Sequence, residues 1–312
     1  MMEALSRGNF LAASAVTGAV GVLAPQAVAA GGKQTIRLRW YGGGVYELAT
    51  PDDQAIVLVD AWIWNNTGFA AYGTPKPPEL ASAAAYAAHV QARKPQSVIV
   101  ALTHDHGDHM GDYFELLSAL GAARVDVKTV GQSDLMRVGL LPRFRAANLD
   151  PAQIVLNAGA GINMGGSATH NGVSLELVPA VHSTASGFPP AGFIIDIGGV
   201  RVYASGDTDL FGDMALIGKR YAPDLGVVSS GNGAFTMGPE DAASACAMVG
   251  VRHAVPVHYA HNPLVIGPQC GDLFRAAMAR SAPSTAVTVL RPGESATLTL
   301  SPPVRPQRTT AT

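Results

Sequence analysis

Residues 97–109 read SVIVALTHDHGDH, and this stretch determines most of what can be inferred about the fold. Its first six residues form a continuous apolar run, which is typical of a β-strand buried on both faces. The next seven contain three histidines and two aspartates: His104, Asp105, His106, Asp108 and His109. Imidazole and carboxylate groups clustered at the edge of a buried strand are costly unless they bind a partner. The stretch therefore predicts a metal site at a sheet edge.

The spacing within this motif indicates two ions. Because a turn at a strand end lets alternate residues point in opposite directions, His104 and His106 can bind one ion while Asp108 and His109 reach a second beside it. Nitrogen and carboxylate donors suit Zn, Mn or Fe. A polar loop or a helix cap is the alternative, and it would give the clustered histidines no partner. Asp105 belongs to neither pair and is expected to brace the loop.

One loop cannot supply all the ligands of two ions, so further donors are expected at other strand ends. Three candidates follow directly on other apolar runs: His182, Asp207 and His258. Taken singly, each has a plain alternative, either a hydrogen-bonded histidine or an aspartate that caps a helix beginning near Phe211. Functional side chains collect at such sheet edges, so four strand ends in agreement favour one shared site.

The remaining pattern predicts an α/β fold in which strands outnumber helices. Strands are predicted at residues 36–40, 45–48, 55–59, 97–102, 125–130, 173–178, 193–197, 200–204, 225–228 and 254–257, and helices at 78–94, 112–120, 239–249 and 269–280. Hairpins occur in each half of the chain. Two mixed β-sheets packed together and flanked by helices, an αββα sandwich, fit this order better than a doubly wound parallel sheet. Without an interior linker, residues 34–300 are expected to form one domain.

Composition excludes several classes of protein. The 312 residues include 21 Lys and Arg against 23 Asp and Glu, a net charge of −2 with no run of either sign, which argues against a nucleic-acid partner. A hydrophobic fraction of 48% and a mean hydropathy of +0.20 exclude a disordered chain. Two cysteines, Cys246 and Cys270, are too few for a disulfide scaffold or a thiolate metal cluster, and whether they pair stays open. The oligomeric state stays open as well.

Both ends of the chain are expected to lie outside the fold. Residues 1–30 combine a weakly apolar stretch with the small-residue triplet AVA at 27–29, which predicts an export signal and a periplasmic or secreted protein. Residues 6–11, SRGNFL, are similar to a twin-arginine export box whose second arginine is replaced by Gly8. The apolar stretch is too short for a membrane span, so no stable membrane anchor is expected. Residues 301–312 are predicted to be a disordered tail.

With these motifs in place, the sequence resembles the metallo-β-lactamase superfamily and, within it, the UPF0173 and ascorbate-phosphate-lactonase-like branch of metal-dependent hydrolases. The resemblance runs from about residue 36 to residue 299. It rests on HDHGDH at 104–109, VPAVHS at 178–183, SGDT at 205–208, FTMGPEDA at 235–242 and PVHY at 256–259. The first motif marks the superfamily, and the last two indicate the branch.

The resemblance implies a dinuclear site and a role for each ligand. The first metal would be held by His104, His106 and His182. The second would be held by Asp108, His109 and His258, with Asp207 as the bridge. Asp60, at the end of an early strand, would orient a ligand histidine. The implied cofactor is a pair of divalent ions, with Zn ahead of Mn or Fe.

The implied activity is hydrolysis of a small ester, lactone or amide by a hydroxide bound to the two metals. Asp108 would orient this nucleophile and later pass a proton to the leaving group. Two alternatives use the same ligands: a phosphodiesterase, although no Lys/Arg cluster follows the motifs, and an iron-dependent oxidoreductase of the sulfur dioxygenase type. A non-catalytic metal-binding module would have lost ligands, whereas all seven positions are filled.

The walls of the substrate pocket are predicted from neighbours of the motifs. The candidates are Trp62, Asn232, Phe235, Tyr259 and His261. Packing in the core is the alternative for the aromatic members. Residues 42–44, GGG, depart from the branch, which often carries a histidine in this turn, so a group on the substrate side is missing or differently supplied.

Overall fold

The computed structural model describes residues 32–231 and 235–301. These residues contain thirteen strands. In chain order they are β1 Gln34–Gly42, β2 Val45–Ala49, β3 Ala55–Val59, β4 Ser97–Ala101, β5 Val127–Val130, β6 Ser167–His170, β7 Val173–Pro179, β8 Ala191–Ile197, β9 Val200–Ala204, β10 Leu225–Ser229, β11 His253–Val257, β12 Ala286–Val287 and β13 Ser295–Leu300. The predicted export signal at 1–30 and all of the predicted tail at 301–312 except residue 301 lie outside the described residues, and so does Asn232.

Among the described residues these strands form two mixed sheets, as the sequence predicts. The first has the order β13-β1-β2-β3-β4-β5, in which β3, β4 and β5 are parallel and the remaining neighbours antiparallel. The second has the order β12-β11-β10-β9-β8-β7-β6, in which β9 to β12 are parallel and β6 to β9 antiparallel. The sequence did not indicate β6, β12 or β13, which are edge strands, where short and partly polar runs are common.

Helices connect the strands and cover the outer faces of the sheets. They are α1 Gly68–Ala71, α2 Ala83–Arg93, α3 Gly107–Met110, α4 Tyr113–Ala122, α5 Leu141–Ala146, α6 Pro151–Ile154, α7 Met214–Tyr221, α8 Pro239–Val249 and α9 Cys270–Ser281. A 3₁₀ turn at Pro78–Leu80 and a π-helical turn at Leu135–Gly139 complete the set among the described residues.

The helix predicted at residues 78–94 is wrong at its start. The Ser82 hydroxyl accepts a hydrogen bond from the Ala85 backbone N–H at 3.2 Å, so the helix begins at Ala83 and residues 78–80 form a separate 3₁₀ turn. The helix ends where Lys94 adopts the left-handed conformation, with φ of 54°. A serine N-cap inside an alanine-rich run therefore overrides the proline as the start signal.

The apolar core has three layers, which follow from alternation along the strands. On β4, Ile99 and Ala101 face the space between the two sheets, whereas Val98 and Val100 face the helices on the other side. A third cluster packs α7, α8 and α9 against the outer face of the second sheet and includes Cys246. The layers are thus helix, sheet, sheet, helix, which confirms the predicted αββα sandwich. Cys246 and Cys270 are both buried free thiols.

The topology brings the ends of several strands to one edge of the sandwich. Strands β3 and β4 run parallel in the first sheet, and β9, β10 and β11 run parallel in the second. The two sheets are joined at this edge by backbone hydrogen bonds from Ala191 to Thr103 (3.0 Å) and from His258 to Gly43 (2.8 Å). Loops that leave these strand ends therefore meet in one place. Within the described residues, no helix combines the length and the apolar character that a membrane span requires.

Candidate metal centre

Seven side chains from four strand ends converge at this edge. Three sets of donors have their ligand atoms within 4.8 Å of one another: His104, His106 and His182; Asp108, His109 and His258; and His104, His109 and Asp207. We call the first the three-histidine group and the second the mixed group. The structure thus brings together every residue that the sequence suggested as a ligand, in the two sets that the family resemblance implies.

The loop after β4 supplies donors to both groups. His104 Nε2 and His106 Nδ1 lie 3.0 Å apart in the three-histidine group. A single turn of helix, α3, then carries Asp108 and His109 towards the mixed group. The loop is braced where the Ala185 backbone N–H donates to Asp105 Oδ1 at 2.8 Å, which is the role that the sequence analysis expects of Asp105.

Asp207 joins the two groups through one of its oxygens. Its Oδ2 lies 3.0 Å from His258 Nε2 and 3.2 Å from His109 Nε2, both in the mixed group. The same oxygen lies 3.7 Å from His182 Nε2 in the three-histidine group. The other oxygen, Oδ1, accepts a hydrogen bond from the Ser229 hydroxyl at 2.9 Å, which fixes the direction of Oδ2. This geometry is that of a carboxylate able to bridge two ions.

Asp60 sets the orientation of two of the histidines. His109 Nδ1 donates to Asp60 Oδ2 at 2.7 Å, so Nε2 is the ring nitrogen that faces Asp207 and His258. The Thr103 hydroxyl donates to the same oxygen at 2.8 Å, so Thr103 Oγ1 can accept from His104 Nδ1 at 3.0 Å. One buried carboxylate therefore fixes the ring tautomers of a histidine in each group, directly for His109 and through Thr103 for His104.

Three residues at the site have unusual backbone conformations. Asp60, His258 and Ala260 all have left-handed φ angles, of 61°, 62° and 57°. Non-glycine residues seldom adopt these angles, and such strain clusters at functional sites. Gly44 lies against the mixed group, where a Cβ atom would come within 2.5 Å of His109 Cε1 and 3.2 Å of His258 Cδ2. A glycine here lets both rings approach, which gives the GGG turn a structural reason.

The two groups differ in proton affinity. Burial lowers the pKa of His104 well below its ordinary value and also lowers that of His182. Burial acts on His109 and His258 too, but the carboxylates of Asp207 and its neighbours outweigh it. They hold the pKa of His109 well above normal and raise the pKa of His258 to about 9. The same histidines, opposing the effect of burial, hold the pKa of Asp207 well below its usual range.

The donor set fits divalent metal ions. Nδ1 of His109 is bonded to Asp60, and its Nε2 faces His258 Nε2 at 3.1 Å. Two unprotonated ring nitrogens at this distance would repel each other, so a proton or a cation must lie between them. His258 Nδ1 is buried without a hydrogen-bond partner. Nitrogen and carboxylate donors without thiolate are typical of Zn, Mn and Fe sites. His104, His106 and His182 would hold one ion, the mixed group a second, and Asp207 both.

A cavity of about 810 Å³ opens directly above the donors. His106, Asp108, His182, Asp207 and His258 form its floor. Three residues that the sequence suggested for its walls line it: Trp62, Phe235 and His261. His261 Nε2 lies 3.4 Å from Asp108 Oδ2, and neither of its ring nitrogens has a well-formed hydrogen bond. Asn232 lies outside the described residues.

The prediction that Tyr259 walls the cavity is wrong. Its side chain is fully buried in the core between the sheets, where its ring packs 4.7 Å from that of Trp40. Its hydroxyl donates to the Leu290 carbonyl at 3.3 Å. The left-handed conformation of His258 reverses the expected alternation, so the histidine faces the site while its neighbour in sequence faces the core.

Sequence reasoning missed several supporting residues. Ser229 and Thr103 hold Asp207 and His104 in place, and both follow the rule that located the donors, because they stand at the ends of β10 and β4. Residues 263–265, Pro-Leu-Val, also line the cavity. No periodic pattern or motif in that loop signals its position.

Comparisons with known proteins agree with this geometry. The family model described as "Beta-lactamase superfamily domain" matches residues 57–259. A UPF0173 metal-dependent hydrolase of Nitratidesulfovibrio vulgaris is 38% identical over 201 residues, which cover 64% of this chain and 77% of that protein. A UPF0173 metal-dependent hydrolase of Pyrobaculum arsenaticum is 32% identical over 259 residues, covering 83% and 98%.

A solved structure extends the likeness to the fold. Igni18, described as a metallo hydrolase from the hyperthermophilic archaeon Ignicoccus hospitalis, superposes with a TM-score of 0.64 at 26% identity and covers 85% of this chain and 98% of its own. The region that the family model matches, residues 57–259, contains all seven donors and Asp60. The chain is therefore a metal-dependent hydrolase of the metallo-β-lactamase superfamily and belongs to its UPF0173 branch.

Proposed function

We propose that this enzyme uses two divalent ions to hydrolyse an uncharged carbonyl substrate, an ester, a lactone or an amide. The observation that carries the proposal is the position of Asp207 Oδ2, within 3.0 to 3.7 Å of donors from both groups. A carboxylate oxygen in this position suits a pair of ions better than a single one. When bound, two adjacent ions lower the pKa of a shared water and polarise the substrate oxygen.

Asp108 is the residue of this chain best suited to handle the proton. Its side chain is 32% exposed, it lines the cavity floor, and its Oδ2 lies 3.5 Å from His258 Nε2 and 3.4 Å from His261 Nε2. Burial alone would raise the pKa of Asp108, but these histidines outweigh it and hold the pKa well below its usual range. Asp108 is therefore a carboxylate at neutral pH. It can orient a water, accept its proton at Oδ2 and transfer that proton to the leaving group.

The cavity favours a carbonyl substrate over a phosphoester. Among the described residues that line it, none is a lysine or an arginine. Enzymes that bind phosphoryl oxygens usually place such cations around them. Residues 232–234, which precede Phe235 in the sequence, are Asn, Gly and Ala and carry no charged side chain. An uncharged ester or lactone needs no counter-ion beyond the donors themselves.

The test is a metal and substrate panel on the purified full chain. The protein is stripped with a chelator and reloaded separately with Zn, Mn or Fe(II), and each form is assayed with a lactone, a carboxyl ester, an amide and a phosphodiester, with dissolved oxygen recorded throughout. We expect metal-dependent hydrolysis of at least one carbonyl substrate, faster than the phosphodiester. Oxygen consumption confined to the iron form, or hydrolysis of the phosphodiester alone, would overturn the proposal.

Asp108→Asn and Asp105→Asn form a matched pair within the same loop. Asp108→Asn should lower kcat by about a hundredfold to ten-thousandfold, because Asp108 is both the proposed proton carrier, whose usual contribution has this size, and a donor of the mixed group. Asp105→Asn alters only the brace to Ala185 and should cost less than about tenfold. Equal losses in the two variants would mean that Asp108 has no special role in the reaction.

A further inference from the structure

Besides the donors, the lining of the cavity contains an apolar wall that comes from three separate loops. Trp62 follows β3, Phe235 precedes α8, and residues 263–265 follow β11. Leu264 is 66% exposed and Phe235 is 51% exposed, although both line the cavity. Large apolar side chains left exposed beside a concave site are typical of a ligand-binding surface.

The loop that carries Leu264 is held in place before any ligand arrives. The Ala260 backbone N–H donates to the Ile266 carbonyl at 2.9 Å, which closes the loop on itself. The Ile266 N–H donates to the Gly231 carbonyl at 2.7 Å, which fixes the base of the loop to the end of β10. A turn at the tip is stabilised where the Leu264 N–H donates to Asn262 Oδ1 at 2.8 Å. A preformed wall of this kind loses little entropy when it binds a substrate.

The carboxylates that line the cavity, Asp108 and Asp207, are both donors. The other described lining residues include no aspartate, glutamate, lysine or arginine, and the polar ones among them are Thr67, Ser183, Asn262 and His261. A charged group placed against the apolar wall would leave water without compensation, which is unfavourable.

From these observations, and resting on the proposed carbonyl hydrolysis, we propose that the natural substrates are uncharged esters or lactones with an apolar substituent several carbons long. The reacting carbonyl lies at the donors, and the substituent lies against Trp62, Phe235 and Leu264. These three residues determine specificity by removing the substituent from water. A cavity of about 810 Å³ is within the range that encloses a small organic molecule of this kind.

A series of γ-lactones with unbranched side chains of one to seven carbons tests the proposal. With the metal-loaded full chain, kcat/KM should rise by about fourfold for each methylene that the wall removes from water, until the chain outgrows the cavity. A lactone whose longest side chain ends in a carboxylate should be poorer than its uncharged counterpart by at least about tenfold.

Two variants and a control connect the effect to the wall. Leu264→Ala and Phe235→Ala should each lower kcat/KM for the longest side chain by about tenfold and for the shortest by less, so that kcat/KM rises less steeply with chain length than in the wild type. Leu216→Ala is the matched control, because Leu216 on α7 is 60% exposed but does not line the cavity. Thermal melts of all three variants show whether each is folded.

Binding of the corresponding γ-lactams, measured by calorimetry, separates this proposal from the proposed reaction. Tighter binding with longer side chains, lost in Leu264→Ala, would support the apolar site even if no lactone were hydrolysed, in which case the proposed reaction alone would fail. Lactone hydrolysis that does not depend on chain length, or that Leu264→Ala and Leu216→Ala alter equally, would overturn the proposal while the reaction stands.

Discussion

The three-histidine group and the mixed group share a loop and Asp207, yet they differ in charge. Each combines buried with partly exposed donors: His104 is buried in the first group and His109 and His258 in the second, while His106, His182 and Asp108 are partly exposed. Burial lowers the pKa values of His104 and His182, while carboxylates raise those of His109 and His258. The histidines of the two groups thus differ in proton affinity, because carboxylates, including Asp108 of the mixed group itself, lie beside those of the mixed group.

This difference has a consequence for metal binding. A histidine must be neutral to bind a metal, so a raised pKa makes protons compete with the ion. At neutral pH, protons therefore compete with the ion for His109 and His258 of the mixed group, and they compete much less for His104 and His182 of the three-histidine group. We expect the three-histidine group to accept an ion at lower pH and the mixed group to accept its ion as the pH rises.

The largest expected effect comes from removing the residue that the groups share. Asp207→Ala should weaken metal binding at both groups and lower kcat/KM for the best substrate by about a thousandfold, because several kcal/mol of charge stabilisation depend on the paired ions. Metal content and kinetics measure this. Asp209→Ala is the control, since Asp209 is exposed and its carboxylate accepts only from the Leu210 N–H in the described structure. Loss of one ion alone in Asp207→Ala would show that Asp207 is not shared.

The pH dependence of metal uptake is the next largest effect. The pKa of His258 is raised to about 9, so its competition with the ion is strong below that pH and disappears above it. Between pH 6.5 and 9, the affinity of the mixed group for its ion should rise by about tenfold per pH unit for each histidine that must lose a proton. His104 and His182, whose pKa values burial lowers, should add no such dependence to the affinity of the three-histidine group in this range. Titrations at several pH values, with proton release recorded, measure both. Parallel pH profiles for the two ions would contradict the comparison.

Substitutions at Asp60 and Thr103 should weaken the two groups unequally, because Asp60 contacts His109 directly and His104 only through Thr103. Asp60→Asn changes the partner of His109 directly and should reduce the affinity of the mixed group by about tenfold to a hundredfold. Thr103→Val removes the hydroxyl that holds His104 and should weaken the three-histidine group by about tenfold, whereas Thr103→Ser keeps it. Competition titrations with a chromogenic chelator give both affinities. A loss in Thr103→Val that falls on the mixed group would refute the assignment of Thr103.

The smallest effect concerns the stability of the metal-free protein. Because the pKa of folded His258 is raised to about 9, its contribution to stability is complete below the ordinary histidine pKa of about 6.5 and is lost as the pH rises through 9. The metal-free chain should therefore melt at a lower temperature at pH 9 than at pH 6.5. The His258→Gln variant should show a smaller change, because His109, whose pKa is also raised, remains. Melting curves of the two proteins that shift together would show that another group is responsible.

The donors could be predicted from the sequence because each is a residue type that binds metals and each follows the end of a buried strand. His104 to His109 follow a strand that is visibly buried, and His182, Asp207 and His258 follow other strands of the same kind. Ser229 obeys the same rule, but a serine at a strand end is too common to stand out. The fold was predictable for a related reason, since the alternation of apolar residues on the central strands separates the layers.

The substrate side could not be predicted in the same way. Tyr259 is adjacent to a donor in sequence but faces the core, because the left-handed backbone at His258 changes the direction of the next side chain. Leu264 lies over the cavity through hydrogen bonds of its loop to residues distant in sequence. Such placement depends on tertiary contacts and has no periodic signal. Specificity is therefore the part of this enzyme that required the structure.

The number of ions bound by each chain tests the central claim most directly. Elemental analysis by mass spectrometry, on protein reloaded with zinc and freed of excess metal at pH 8, should give two ions for the wild type. His182→Ala should keep one, because the mixed group and Asp207 remain. His170→Ala, a control whose histidine bonds to Asp126 far from the donors, should keep two. One ion in the wild type, or two in His182→Ala, would contradict the dinuclear account.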